Sequence, residues 1–160
     1  MGIREKINDK PIIANVAVAI VVVAALVYIY HFLTTDPSAP PTEAFYSVDD
    51  GASYFVDEAS QVAPFDHDGA VAVKALVFEC DGKLFVNHLE RVRPESRDEI
   101  LKTREGERGE SAAQQMIANN RQIKRPGDAE WVSVMSGVGQ DILMPKCPDG
   151  GGGYPRPVAP

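Results

Sequence analysis

Residues 71–92 read VAVKALVFECDGKLFVNHLERV, and the dipeptide at the centre of that string decides the architecture. Val71 to Cys80 and Lys83 to Val92 are rich in β-branched and aromatic residues, with only Asp81-Gly82 between them. A two-residue connection in a type I′ turn needs positive φ at both positions, and Asp-Gly tolerates that conformation. The stretch therefore predicts two long antiparallel strands joined by a tight turn. In the second strand, alternation puts Leu84, Val86, His88 and Glu90 on one face and Phe85, Asn87, Leu89 and Arg91 on the other. Neither face is purely apolar.

Upstream lies a second hairpin signal. Phe45–Val56 reads FYSVDDGASYFV, with aromatic and β-branched residues flanking Asp-Asp-Gly. Within it, Ser47-x-Asp49-x-Gly51-x-Ser53-Tyr54 resembles the Asp-box motif. That resemblance implies a β-hairpin whose Asp49 holds the turn through backbone hydrogen bonds and whose Gly51 supplies the conformational freedom. Sialidase-like propellers carry this motif blade after blade, whereas here it occurs once, without an arginine cluster for a sugar carboxylate. The structural reading is preferred over a glycosidase.

Downstream, Pro94 ends the second strand, and Ser96-Arg97-Asp98-Glu99 matches a capping box that opens a helix. Gly106 and Gly109 interrupt the helical stretch, and Ala112, Ala113, Met116 and Ile117 resume it with helical spacing. Arg125-Pro126-Gly127-Asp128 reads as a turn, and Trp131–Met135 and Asp141–Met144 as two further short strands. The expected fold class is α+β: an N-terminal transmembrane helix, then a small antiparallel sheet of about four to six strands with one or two helices on one face.

The transmembrane expectation rests on residues 11–33, an apolar run without a charge whose one strongly polar residue is Asn15. At about 1.5 Å per residue, a helix of this length spans a hydrocarbon core of about 30 Å. Arg4, Lys6 and Lys10 precede the run, and no Lys or Arg follows until Lys74. The Lys/Arg bias predicts a cytoplasmic N-terminus and an exported remainder. Tyr28, Tyr30 and Phe32 cluster at the exit, where amphipathic rings suit the membrane–water interface. They also occupy the place where a cleavable signal peptide needs small residues, so the anchor is read as retained. Asn15 is either within reach of the headgroups or placed to bond a neighbouring helix. A pilin-like spine is disfavoured, because the run holds no Glu and Pro37, Pro40 and Pro41 stop the helix soon after it.

The organisation read from these signals is a cytoplasmic tip (1–10), the transmembrane helix (11–33), a proline-rich spacer (34–42), an exported α+β domain (43–147) and a disordered Gly/Pro tail (148–160). The tail, PDGGGGYPRPVAP, has almost nothing to bury. The formal net charge is −7, and most of the acidic excess lies in residues 41–93. That balance argues against a nucleic-acid partner, which needs phosphate-neutralising Lys and Arg.

Candidate chemistry is sparse. Asp66-His67-Asp68-Gly69 places two carboxylates around an imidazole. A hard cation such as calcium could use oxygens there with Asp57 or Glu58, but the loop lacks the alternating ligands of an EF-hand. A polar turn is the preferred reading, with no metal assigned. His67 and His88 have no spacing that marks a transition-metal site. Cys80 and Cys147 are the two cysteines and form no C-x-x-C. An even pair in an oxidising compartment suits one disulfide, and two free thiols are the other reading. There is no G-x-S-x-G elbow, and the Gly150–Gly153 run lacks the Lys-Ser/Thr of a phosphate-binding loop, so no catalytic residue and no cofactor are expected.

The string FYSVDDGASYFVDEASQVAPFDHDGAVAV, with the VFECDGKLFV hairpin and a late CPDG, resembles uncharacterised single-pass membrane proteins of planctomycete-type bacteria. The resemblance implies an architecture and no activity. The expected function is a non-enzymatic, single-pass accessory or interaction subunit with an extracytoplasmic domain in an envelope assembly, bound to lipid through its helix and to protein partners. An exported ligand- or calcium-binding domain and an enzyme of unrecognised type are the alternatives.

Overall fold

The computed structural model describes residues 11–34, 41–106, 109–148 and 153–160. The expectations for the cytoplasmic tip, for spacer residues 35–40 and for tail residues 149–152 lie outside the described residues. The chain divides into two units, Met1–Pro40 and Pro41–Pro160.

Among the described residues the first unit contains one helix, α1 (Pro11–Thr34), 24 residues long. Its described side chains are all exposed, and apolar residues surround it on every side rather than forming a stripe. Side chains at 11–14, 17, 33 and 34 lie outside the described set. Among the remainder no helical stretch is long and apolar enough to cross a membrane, although the backbone helix is continuous from end to end.

The second unit is α+β and antiparallel. Its described strands are β1 (Glu43–Ser47), β2 (Phe55–Glu58), β3 (Phe65–His67), β4 (Ala70–Cys80), β5 (Lys83–Val92), β6 (Arg121–Lys124), β7 (Val132–Ser133) and β8 (Arg156–Pro157). The main path runs β2-β1-β4-β5-β6-β7, while β3 and β8 each pair with β4. Among the described residues three Asp-Gly dipeptides bend the chain: Asp50-Gly51, Asp68-Gly69 and Asp81-Gly82 all have positive φ at both residues. This left-handed pair fits the twist of the flanking strands, which is why short Asp-Gly connections recur between hairpin strands.

The β4–β5 hairpin departs from simple alternation at one place. Near the turn, Cys80 pairs with Lys83 and Val77 with Val86; beyond it, Leu76 pairs with His88 and Lys74 with Glu90. Asn87 is thus an extra residue, a β-bulge, and it reverses the side-chain parity of β5. Leu84 and Val86 share the face of Leu89, not that of His88 and Glu90 as period-two alternation predicts. Val86 packs with Val73, Ala75 and Leu89, closed over by Phe45, Tyr54 and Trp131.

The opposite face carries the domain's helices. Helix α2 (Arg97–Glu105) follows a 3-10 turn at Pro94–Ser96, and α3 (Gly109–Asn120) follows the glycine break. Ile100 and Ala113 pack on Val62 and Val92. The capping-box expectation needs correcting: Ser96 has helical backbone angles and makes no side-chain cap. Because the 3-10 turn runs straight into α2, its hydroxyl donates to Asn120 Oδ1 instead, at 3.1 Å.

Two further expectations are corrected. Asp141–Met144 is not a strand; Asp141 to Leu143 lie in helix α4 (Gly137–Leu143), whose N-cap Ser136 accepts a hydrogen bond from the Gly139 N–H at 3.0 Å. Ile142 from this helix packs on Ile123 and Val134. Nor is the whole tail disordered. Arg156 and Pro157 pair with Glu79 and Phe78, and the Val158 N–H donates to the Val77 carbonyl at 2.9 Å. Composition measures only how much apolar surface a segment can bury. It takes no account of the unpaired backbone groups along β4, which any extended segment can satisfy.

Candidate functional site

The Asp-box residues form a closed hydrogen-bonded turn. The Gly51 N–H donates to Ser47 Oγ at 2.9 Å, the Ser53 N–H to Asp49 Oδ1 at 2.9 Å, and Ser47 Oγ to Asp49 Oδ1 at 2.8 Å. Hydrogen bonds from the Ser53 hydroxyl, the Ser53 amide and Ser47 pull the Asp49 carboxyl down to about 2. Its neighbour Asp50 reaches across the fold, with Oδ1 at 2.5 Å from Lys124 Nζ and Oδ2 accepting the Gly127 N–H at 2.8 Å. Every side-chain carboxylate and hydroxyl oxygen in this turn has a structural partner, so its geometry is that of a staple.

Cys80 and Cys147 form a disulfide, with their Cα atoms 5.9 Å apart. It joins the Asp81-Gly82 hairpin end to the segment after α4.

Asp66, His67 and Asp68 do not converge on one point: His67 Nε2 lies 3.9 Å from Asp68 Oδ2, while Asp66 turns to the backbone. Asp66 Oδ1 accepts the Gly69 N–H at 3.3 Å, and the His67 ring stacks on Phe55 at 4.0 Å between centroids. The Asp68 side chain is 97% exposed. Among the described residues no group of three or more His, Cys, Asp or Glu side chains is placed to hold a metal ion. Asn15, Tyr28, Tyr30 and Phe32 are exposed on α1.

The most chemically loaded place in the domain was not singled out by any motif. It is a cleft of about 220 Å³ between the helix-bearing face of the sheet, the 59–63 loop and helices α2 and α3. Lys74 of β4 and Glu90 of β5 face each other directly, and Arg121 comes from the start of β6. Arg104 enters from α2 and Gln114 from α3. Glu90, 14% exposed, is the hub: His88 Nε2 lies 3.3 Å and Arg121 Nη2 3.6 Å from its Oε1. The amide of Asn87 donates to His88 Nδ1 at 2.8 Å and to the Ile142 carbonyl at 3.1 Å. That leaves the imidazole proton on Nε2, aimed at Glu90. Burial alone would raise the Glu90 carboxyl. The hydrogen bond from His88 and the charges of Arg121 and Lys74 outweigh it and hold Glu90 below the usual carboxylate range.

At the rim, Arg104 Nη1 donates to the Ser60 carbonyl at 2.6 Å, and its Nε lies 3.0 Å from Glu110 Oε2. The Nε atoms of both Arg104 and Arg121 are buried without a hydrogen-bond partner among the described residues, that of Arg104 lying within ion-pair distance of Glu110 only. The bulge explains why sequence reading missed this cluster. Counted back from Asp81-Gly82 without an extra residue, Lys74 falls opposite Leu89; the inserted Asn87 moves it opposite Glu90. A run of two polar residues, Asn87-His88, inside an otherwise pairing strand was the signal available.

The class these observations define is an antiparallel α+β domain with its helices on one sheet face and a buried charge cluster beneath them. No protein-family model, curated protein or solved structure matches the chain.

Proposed function

We propose that the chain is a single-pass membrane protein, inserted through α1 with the Arg4–Lys10 end in the cytoplasm, whose Pro41–Pro160 unit is exported. In this reading the domain is a non-enzymatic accessory or interaction subunit of an envelope assembly. The observation that carries it is α1: 24 helical residues, apolar on all sides, with exposed valines, isoleucines and tyrosines. A helix of that kind has no polar face to turn toward water, and its stable surroundings are a protein core or lipid. At about 1.5 Å per residue it matches a hydrocarbon core of about 30 Å. The Cys80–Cys147 disulfide agrees with an oxidising compartment for the second unit.

Carbonate extraction of membranes from expressing cells tests the anchor. The full chain stays in the pellet, and a variant lacking residues 1–34 is released; recovery of the full chain in the alkaline supernatant sinks the reading. Purification in mild detergent tests the interaction role. A stoichiometric co-purifying protein supports it, and a clean monomer with none counts against it.

A further inference from the structure

The cleft beneath α2 and α3 concentrates positive charge in a chain whose net charge is −7. Lys74, Arg104 and Arg121 contribute three cations from three different elements; Arg91 also lines the cleft, but its guanidinium is taken up over the Trp131 ring, 4.2 Å from the ring centroid. Two carboxylates answer them: Glu90 in the floor, against Arg121, and Glu110 at the rim, against Arg104. The balance leaves one cation over. Lys74 acts on Glu90 through space, but its ammonium makes no ion pair among the described residues. The Arg121 Nε is an unmet buried donor. Buried polar groups are nearly always satisfied, so an unmet donor next to a surplus charge asks for an acceptor.

The walls narrow the choice. A guanidinium presents five N–H donors in a planar fork that matches the oxygens of a carboxylate or phosphate. Arg104 spends part of its fork on the Ser60 carbonyl and Glu110, and Gln114 Nε2 donates to Glu110 Oε1 at 2.7 Å, which fixes that side of the rim. On the floor, His88 and Arg121 hold the Glu90 carboxylate in place. Val62, Val92 and Ile117 supply apolar wall between these groups. At about 220 Å³ the space lies below the roughly 300–1,000 Å³ of clefts that enclose drug-sized ligands.

We propose that this cleft binds a compact oxyanion, a carboxylate or phosphate group on a small molecule, with Lys74, Arg121 and Arg104 as its cationic ligands. Glu90 is then a positioning residue: it holds Arg121 in the floor and leaves Lys74 free to meet the incoming charge. The inference does not depend on the membrane reading, since it rests on residues of the Pro41–Pro160 unit alone.

The test uses the full chain in mild detergent at low ionic strength. Inorganic phosphate and succinate are titrated separately by isothermal calorimetry and followed by melting temperature, with sodium chloride matched for ionic strength. The proposal expects saturable binding of at least one probe beyond the chloride control, and which probe binds separates phosphate from carboxylate recognition. Lys74→Gln and Arg104→Gln each weaken that binding about tenfold or more, the effect of losing one charged hydrogen bond. Lys102→Gln, an exposed site on α2, leaves it unchanged. Arg121→Gln disturbs the Glu90 pairing as well as the site, so Lys74→Gln carries the argument if that variant does not fold. A response to both probes that merely tracks ionic strength overturns the proposal. So does saturable binding that survives unchanged in Lys74→Gln and Arg104→Gln.

Discussion

Glu90 shows how much one side chain can be asked to hold. Its carboxylate takes the proton-bearing nitrogen of His88 and one nitrogen of Arg121 on the same oxygen. Replacing it by Gln keeps the shape but leaves Arg121 facing a neutral amide in a mostly buried place. That substitution should cost about 1–3 kcal/mol of stability, measured by denaturant titration. The same variant should alter the acid limb. A carboxyl held below its unfolded value contributes stability above the ordinary carboxylate range, and the contribution is lost as pH falls through the folded value. Glu90→Gln therefore unfolds with a shallower dependence on pH on the acid side. Asp49 follows the same sign with a larger shift, since its carboxyl is drawn down to about 2. Asp49→Ala should lower the melting temperature at neutral pH, and the difference from the parent should shrink as pH falls toward 2. An unchanged gap across that range would contradict the turn's dependence on the ionised carboxylate.

At the scale of elements, local chemistry and long-range placement part company. The three Asp-Gly bends, the β1–β2 and β4–β5 hairpins, and the glycine break between α2 and α3 are legible because each is specified by a few adjacent residues. What was not legible depends on residues distant in sequence. The bulge at Asn87 is stabilised by the Ile142 carbonyl, 55 residues away, and the adjacent polar pair Asn87-His88 is its one faint local trace. Helix α4 is short and opens with Gly137 and Gly139, poor helix formers, so propensity alone argued against it. Its reason is packing: a Cβ on Gly139 would collide with the Ser133 carbonyl oxygen, which means the helix sits directly on the β7 backbone. Gly139→Ala should accordingly destabilise by about 1–3 kcal/mol, the range for overpacking against a rigid neighbour, readable by thermal melting. Strand β8 was hidden for a different reason, since an edge strand can form from almost any extended segment. Removing residues 154–160 should cost about 1–2 kcal/mol in lost backbone hydrogen bonds and speed amide exchange along Val77–Glu79.

At the scale of the whole molecule, the second unit combines one covalent restraint with a charge cluster that depends on the assembled fold. The disulfide closes a loop with a sequence separation of 67, and in the chain-entropy model such a closure contributes about 4 kcal/mol. Cys80→Ser with Cys147→Ser should reduce unfolding free energy by about that amount in non-reducing buffer. A reductant should affect the parent and leave the double variant alone. The candidate cleft, by contrast, draws on β4, β5, β6, α2 and α3 at once, so it exists only when the sheet and its helices are assembled. This is the physical reason that no motif pointed to it.

The crosslink and strand β8 meet on the same strand. Cys80 ends β4, and β8 covers Phe78 and Glu79 just before it. In a reducing environment, Cys147 lets go and the segment that follows loses its nearest fixed point, so the Val77–Glu79 edge is left to whichever extended chain reaches it first. An uncovered edge is a template for aggregation. Oxidation should therefore do more than raise the melting point: it should help keep this edge covered. Production in a reducing cytosol should yield insoluble material, and export to an oxidising compartment should yield soluble domain from the same sequence.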